Sequence, residues 1–436
     1  MKIFGFEGGV HPPERKDITE EKKIEIMKEP QKIYLSLLQH IGASLEPLVE
    51  VGEYVKRGQK IADSKAFLSV PVHSPISGKV IDIEMYPFAL SGKMKTIIIE
   101  NDGKNIEEEN EKYPNYNEKS RDFLLTKIRE MGVAGQGGAT FPTHVKLNPP
   151  ADANVDTLLI NAAECEPYLN TDNRVMIEYS IECIEGIKIM LHILGIKDAI
   201  IALENNKPKA LEVIKKACEN TGIKVVSVPT KYPQGGEKQL IKSVLNRIVP
   251  SKKLPSEVGV VVQNIATAKA VYDAVVLGKP LIERVVTISG AGIKNPSNLL
   301  IKIGTLFRDI LEFTGFDEEN TEKIVMGGPM MGIAQYTKDV PVVKGTSGIL
   351  ALTSKEVSEK NCKSCISCAK CVNVCPMNLM PLNYDLIARA EKWEDMDRYN
   401  LMDCIECGSC SYVCPAKRPL TEAIKIGKAK LRSIKK

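Results

Sequence analysis

At 436 residues, 43% hydrophobic and 26% charged, the chain has an ordinary globular composition and is too long for one core, so two to four domains are expected. It has no run of 18 apolar residues; even 258–277 is interrupted by Gln263, Asn264, Lys269 and Asp273, which excludes a membrane-spanning helix. The net charge of +4 comes without basic residues interleaved with aromatics, so nucleic acid is not an expected partner.

Nine of the twelve cysteines fall in the last 75 residues, a density of thiols that implies a reducing compartment rather than a disulfide framework. The first ten residues lack the charged and apolar regions of a secretion signal.

In chain order, the start holds Gly8-Gly9-Val10-His11-Pro12-Pro13, a stiff irregular segment. Residues 47–83 alternate apolar residues with glycine turns and predict a small β barrel or sandwich within an amino-terminal module, 1–110. Its layout resembles the biotinyl and lipoyl carrier fold. The flanks of Lys65 do not match a carrier lysine, so a structural module is expected. A polar linker, 101–117, follows.

Residues 118–278 then read as alternating α/β. Helices are expected at 120–131, 174–194, 208–217, 238–245 and 266–276, and strands at 157–160, 199–203, 224–228 and 259–262. Short continuous apolar runs between helices predict a parallel sheet covered on both faces. Residues 279–350 read as a compact β-grasp-like unit, with strands at 285–289 and 323–326, a turn at 290–292 and a helix at 306–314. The final segment, 358–436, is expected to be mainly helical, including 384–399.

That segment carries the strongest signal. Cys365, Cys368, Cys371 and Cys375-Pro376, then Cys404, Cys407, Cys410 and Cys414-Pro415, each match the run found in two-cluster ferredoxins, where the fourth cysteine ligates the other cluster. One 4Fe-4S cluster is therefore expected on Cys365, Cys368, Cys371 and Cys414, and the other on Cys404, Cys407, Cys410 and Cys375. A zinc ribbon is the rival, although tetrahedral zinc has no use for three cysteines at this spacing followed by a fourth. Cys362 could shift the first register, but the Cys-x3-Cys-Pro ending places it outside both clusters. Beyond the cysteines, Lys425, Lys428, Lys430, Arg432, Lys435 and Lys436 form a basic tail, suited to an anionic surface, an acidic partner or plain solvation.

Gly135-Gln136-Gly137-Gly138-Ala139-Thr140-Phe141 follows a helix and lacks a P-loop ending, so it fits neither common nucleotide motif. Its three glycines can still present backbone N–H groups to a phosphate, with Lys146 as a nearby cation. The alternative is a tight connection. Asn161, Glu164 and Glu166, the stretch Tyr232-Pro233-Gln234-Gly235-Gly236-Glu237, and Gln263-Asn264 all follow strands, where ligands gather in parallel sheets. Helix capping and solvated turns would use the same residue types.

The glycine loop resembles the flavin loop of the NADH-binding flavoprotein subunit of respiratory complex I. The full layout, with Gly8 to Pro13, Ala163-Glu164-Cys165-Glu166-Pro167-Tyr168 and the paired cysteine runs, resembles the RnfC family, the C subunits of Rnf electron-transport complexes. The resemblance implies a barrel-sandwich hybrid, a Rossmann-like domain for FMN and NADH, an SLBB-like β-grasp domain used for docking, and a helical two-cluster ferredoxin domain. It places Gly135, Gly137, Gly138 and Lys146 at the flavin phosphate. Asn161 and Glu164 fall at the flavin, and Phe141 and Glu166 at the nicotinamide nucleotide. Gly235, Glu237, Asn264 and Thr267 belong to the later loops. Ala163, Gly236 and Gln263 depart from the complex I pattern.

The resemblance further implies a peripheral protein at the cytoplasmic face of the cell membrane. Its partners would be integral membrane subunits and a ferredoxin-linked subunit, and electrons would pass between NADH or NAD, FMN and the two clusters. A soluble cobalamin reductase of related layout and a noncatalytic iron-sulfur relay are the alternatives.

Overall fold

The computed structural model describes residues 2–90, 92–357 and 361–434. After β1 (Ile24–Ile26) the chain forms two small sheets facing each other. One contains β2 (Lys32–Ser36), β4 (Tyr54–Val55), β7 (Gly78–Pro87) and β8 (Lys93–Asn101), in the order β2-β8-β7-β4; the other contains β3 (Glu46–Pro47), β5 (Lys60–Asp63) and β6 (Val72–His73). The outermost pair, β2 and β8, lies beyond the stretch in which the sequence predicts strands. It aligns Ile33 with Ile99 and Leu35 with Ile97, all fully buried, and burying each such side chain contributes roughly 1.5–3 kcal/mol. Lys65 sits on an exposed bend between β5 and β6.

The second unit contains α1 (Arg121–Glu130), α2 (Thr143–Lys146), β9 (Thr157–Ala162), α3 (Thr171–Glu178), α4 (Ser180–Leu194), β10 (Asp198–Glu204), α5 (Pro208–Ala217), β11 (Lys224–Val228), α6 (Glu237–Leu245), β12 (Val260–Asn264) and α7 (Ile265–Val276). Its sheet is wholly parallel in the order β11-β10-β9-β12. Alternate residues of β9 explain the two covers. Leu158 and Ile160 pack with Ile187, Ile265 and Val271 on one face, whereas Leu159 packs with Leu240, Ile241 and Val244 of α6 on the other. The single helix expected over 174–194 is two, because Tyr179 leaves helical geometry at φ −130°.

The third unit builds a six-stranded sheet in the order β1-β14-β13-β17-β15-β16. Its members are β13 (Glu283–Ser289), β14 (Ser297–Lys302), β15 (Thr321–Met326), β16 (Ile333–Ala334) and β17 (Gly348–Thr353), with α8 (Phe307–Phe313). Neither β1 nor β17 is among the strands that the sequence predicts. β17 nevertheless lies inside the sheet, and β1 arrives from the amino-terminal segment to pair with β14.

The last unit is helical, with α9 (Lys370–Asn373), α10 (Pro381–Arg389), α11 (Ser409–Tyr412) and α12 (Leu420–Ile434). The helix expected over 384–399 stops at Arg389. Glu391 turns to positive φ, and a 3-10 segment covers Trp393–Tyr399. Tyr384, Met396, Leu401, Leu420, Ile424 and Leu431 form its core around the cysteines. The basic tail is less available than its sequence suggests, since Lys428 is buried against the Cys404 carbonyl at 2.5 Å and the Glu406 carboxylate at 2.7 Å. Lys435 and Lys436 lie outside the described residues. Among the described residues no helix is long and apolar enough to cross a membrane.

Candidate functional site

The chain leaves the central strand β9 toward β10 on one side, while β12 joins its other side, so the crevice between β9 and β12 is the switch point at which open parallel sheets bind ligands. Asn161 and Asn264 are register partners at the carboxyl ends of these two strands. Asn264 caps α7 by accepting from the Ala266 N–H at 2.8 Å and the Thr267 N–H at 3.3 Å, and it donates to Asp172 at 2.7 Å. Asn161 donates to the Gly235 carbonyl at 2.8 Å.

The glycine loop closes on itself through Gly135 N–H to the Phe141 carbonyl at 2.8 Å, and Gln136 N–H donates to the Thr267 hydroxyl at 2.9 Å. The loop is thereby pinned over the amino terminus of α7, where the helix dipole favours an anion. Gly137, Gly138 and Ala139 are exposed there. A Cβ on Gly137 would come 2.9 Å from the Asn264 amide, so this close approach requires glycine. Half-buried Lys146 pairs with Glu237 at 2.6 Å. A small pocket open to solvent lies behind this loop between α3, α7 and β13. It is lined by Gln136, Lys269 and Arg284, and neither Gly137, Asn161 nor Lys146 faces it.

The strand-end acids are held by the protein itself. Glu164 is buried and accepts from the Thr171 hydroxyl at 2.7 Å and from the Asp172 and Asn173 N–H groups, which makes it the cap of α3. Glu166 accepts from the Met330 and Met331 N–H groups at 3.1 and 2.9 Å, tying the nucleotide-type domain to the β-grasp unit. Burial raises its pKa to about 7. Burial also raises Asp172 to about 7, with Glu164 beside it adding to the effect. Lys16, which carried no expected role, is buried with its ammonium on the Glu166 and Leu169 carbonyls at 2.9 and 2.5 Å.

Cys365, Cys368, Cys371 and Cys414 line one pocket open to solvent, and Cys362 lies outside it. Arg418 holds the rim by a two-point pair to Asp385 at 2.8 and 3.0 Å and by a 3.0 Å contact to the Cys362 sulfur. Cys404, Cys407, Cys410 and Cys375 form a second, more buried set. Burial pushes the Cys404 thiol up to about 11, with Cys407 and Cys375 near enough to add to it, and pushes Cys410 up to about 12 beside Cys404 and Cys407. Backbone N–H groups already point at sulfur: Ser367 to Cys365, Leu379 to Cys375, Glu406 to Cys404 and Arg418 to Cys414, at 3.3 to 3.4 Å. Such donors stabilise cluster thiolates and tune their potential. Among the described residues no three Cys, His, Asp or Glu converge on a point that would hold a single ion.

The two halves of the site touch. The Tyr232 hydroxyl donates to the Cys407 carbonyl at 2.7 Å, and Val10, Tyr232 and Cys407 share an apolar cluster with Cys165 packed against it. Tyr232 is legible in the sequence only as part of a strand-end loop; its link to a cysteine 175 positions away has no local signal.

Four family models match the chain: an RnfC barrel sandwich hybrid domain at 4–104, a Nuo51 FMN-binding domain at 128–273, an SLBB domain at 285–334 and a 4Fe-4S dicluster domain at 364–417. The C subunit of the proton-translocating ferredoxin:NAD(+) oxidoreductase complex of Clostridium ljungdahlii is 48% identical over 99% of this chain and 95% of that protein. The chain belongs to the RnfC family of ion-translocating oxidoreductase complexes.

The Na(+)-translocating counterpart from Acetobacterium woodii is 41% identical over 99% of this chain and 98% of its own length. The C subunit of the Rhodobacter capsulatus ion-translocating oxidoreductase complex is 42% identical over 99% of this chain and 84% of that protein. A crystal structure of an air-oxidized NAD+-reducing NiFe hydrogenase shares the fold at a TM-score of 0.50 and 17% identity, covering 68% of this chain and 60% of that one. With an FMN-binding domain and a dicluster domain in one chain, this family member is an electron-transfer oxidoreductase component. The dicluster match bears out the iron-sulfur expectation over the zinc rival.

The residues present fit both groups. For FMN there is a glycine cradle that a Cβ would fill, a helix amino terminus and a lysine; for the clusters there are two sets of four thiols with N–H donors aimed at sulfur.

Proposed function

We propose that this protein is the peripheral component that exchanges electrons between NADH and the remainder of an ion-translocating ferredoxin:NAD oxidoreductase. It would work at the cytoplasmic face of the cell membrane with integral membrane subunits and a ferredoxin-linked subunit. In the overall exchange NADH loses two electrons and leaves NAD+ and a proton, while two clusters take one electron each. Bound FMN supplies the conversion between two-electron and one-electron chemistry.

The chain's own residues bind and orient. Gly135, Gly137 and Gly138 offer backbone N–H groups to the flavin phosphate, and Lys146 adds a cation once it leaves Glu237. Asn161 and Asn264 present amides at the switch point, with Thr267 holding the loop through Gln136. Phe141 and Gly235 border the nucleotide face. Glu164 and Glu166 act through the walls they fix, one through α3 and the other through the loop at Met330. Cys365, Cys368, Cys371 and Cys414 hold the solvent-facing cluster. Cys404, Cys407, Cys410 and Cys375 hold the inner one, beside the positive charge of Lys428.

The contact from Tyr232 to Cys407 carries this reading, because it joins the strand-end loop of the flavin domain to a cysteine of the inner set. The test is to purify the chain without oxygen, build its clusters, and add FMN and then NADH. Bleaching of bound flavin followed by loss of cluster absorbance is expected. Flavin that stays oxidised while the clusters are intact defeats the assignment.

A further inference from the structure

The segment Gly8-Gly9-Val10 lies outside both the flavin cradle and the cysteine sets, yet it is wedged between them. Phe4 N–H donates to the Ser243 carbonyl of α6 at 2.8 Å, and the Lys231 ammonium donates to the Phe6 carbonyl at 2.9 Å while standing 4.4 Å from the Phe6 ring centre. Gly9 N–H then donates to the Val374 carbonyl at 2.8 Å. Val10 and Tyr232 exchange a pair of backbone bonds at 2.8 and 2.9 Å.

The gap it fills is one glycine thick. A Cβ on Gly8 would stand 2.8 Å from the carbonyl oxygens of both Val374 and Cys375, and one on Gly9 would stand 2.7 Å from the Tyr232 carbonyl. Both residues hold positive φ, 71° and 80°. On one side of the segment is the turn carrying Cys375. On the other is the Tyr232 loop, whose hydroxyl reaches the Cys407 carbonyl. Two of the four inner cysteines are therefore referenced to one point on the flavin domain.

We propose that Gly8 to Val10 is a positioning strap that sets the separation between the flavin-domain strand end and the inner cysteine set. The proposal rests on the assignment of flavin and inner cluster given above. Electron exchange between bound groups falls steeply with separation. Widening this gap therefore slows transfer to the clusters while leaving NADH oxidation at the cradle unchanged.

The test compares full-length Gly8→Ala and Gly9→Ala with Gly5→Ala, a control in which φ is 76° but nothing lies within 4 Å of the added carbon. Lys231→Met is a fourth variant that loosens the strap without a clash. Each is loaded with FMN and clusters and assayed for iron, for flavin bleaching by NADH and for cluster bleaching. Hydrogen exchange of peptides covering 231–236 and 374–379 is measured without NADH. The expected result is unchanged iron and flavin bleaching, cluster bleaching slowed several-fold, and faster exchange in both peptides.

Cluster bleaching at the control rate in the strap variants overturns the proposal, as does a parallel fall of flavin and cluster bleaching. If Gly8→Ala and Gly9→Ala do not fold, Lys231→Met decides by the same criteria. If NADH fails to bleach flavin even in the unaltered chain, the nucleotide reading is what has failed, and exchange alone judges the strap: unaltered exchange in the variants overturns it.

Discussion

Tyr232 and Cys407 meet across a domain boundary, the phenol hydroxyl donating to the backbone carbonyl at 2.7 Å while standing 3.4 Å from the Glu166 carboxylate. Tyr232→Phe keeps the ring in its buried place and leaves that carbonyl without its donor, at a cost of about 1–3 kcal/mol. A lower urea midpoint is expected, together with an altered electron paramagnetic resonance signal from the inner cluster and an unaltered outer signal. Equal change in both signals would show that the contact has no local effect.

Lys146 and Glu237 form a 2.6 Å pair. A charge-assisted contact to phosphate contributes about 1.5–3 kcal/mol, so Lys146→Ala is expected to weaken FMN binding roughly 10- to 100-fold. Glu237→Gln frees the lysine and is expected to leave binding unchanged or tighten it. Flavin fluorescence titration reads both variants against iron content. Parallel loss of flavin and iron in Lys146→Ala would indicate damaged folding instead.

The crossed cysteine sets make a prediction that pairing within each run does not share. Cys414→Ser and Cys365→Ser should each abolish the outer cluster and leave the same residual spectrum. Cys375→Ser and Cys404→Ser should leave the other. Iron should fall to about half in every case. If Cys414→Ser instead matches Cys404→Ser, each run keeps its own cluster and the crossing is wrong.

His73 is buried where the barrel unit meets the flavin domain, near Lys344, whose ammonium is fully enclosed on the Pro71 and Gly132 carbonyls. Burial, with Lys344 adding to it, lowers the His73 pKa to about 3. The folded state therefore keeps the ring neutral while the unfolded chain takes up a proton below about pH 6.5. Stability present above that pH is lost as pH falls toward 3, at up to about 1.4 kcal/mol per unit. His73→Gln removes this dependence, so the difference in urea midpoint between wild type and variant should shift in favour of the variant from pH 7.5 to pH 5. A constant difference across that range would exclude His73 as a source of acid sensitivity.

What is legible in the sequence follows from where each signal resides. The dicluster unit can be read because cluster chemistry dictates ligand spacing along the chain, whereas Asn264, expected at a bound cofactor, caps α7. The parallel core can be read from its short apolar runs. The break at Tyr179 cannot, since no proline or glycine marks it. Glu164 and Glu166 both stand where ligands gather, and their carboxylates also hold α3 and the loop at Met330, 164 positions beyond Glu166, links that no local signal announces. Lys16 and Tyr232 acquire their roles only when segments more than 150 positions apart meet. β1 is a three-residue strand, too short to show a period, and its partner lies across most of the chain.

The unequal burial of the two cysteine sets also bears on how the protein will age. Cys365 and Cys368 are exposed, whereas Cys375, Cys407 and Cys410 are buried. On the proposed cysteine assignment, dioxygen and chelators meet the outer iron first. A preparation handled in air should pass through a half-stripped form that has lost its outlet while its nucleotide end is intact. Such a form would still oxidise NADH but would hand the electrons to whatever soluble acceptor reaches the flavin.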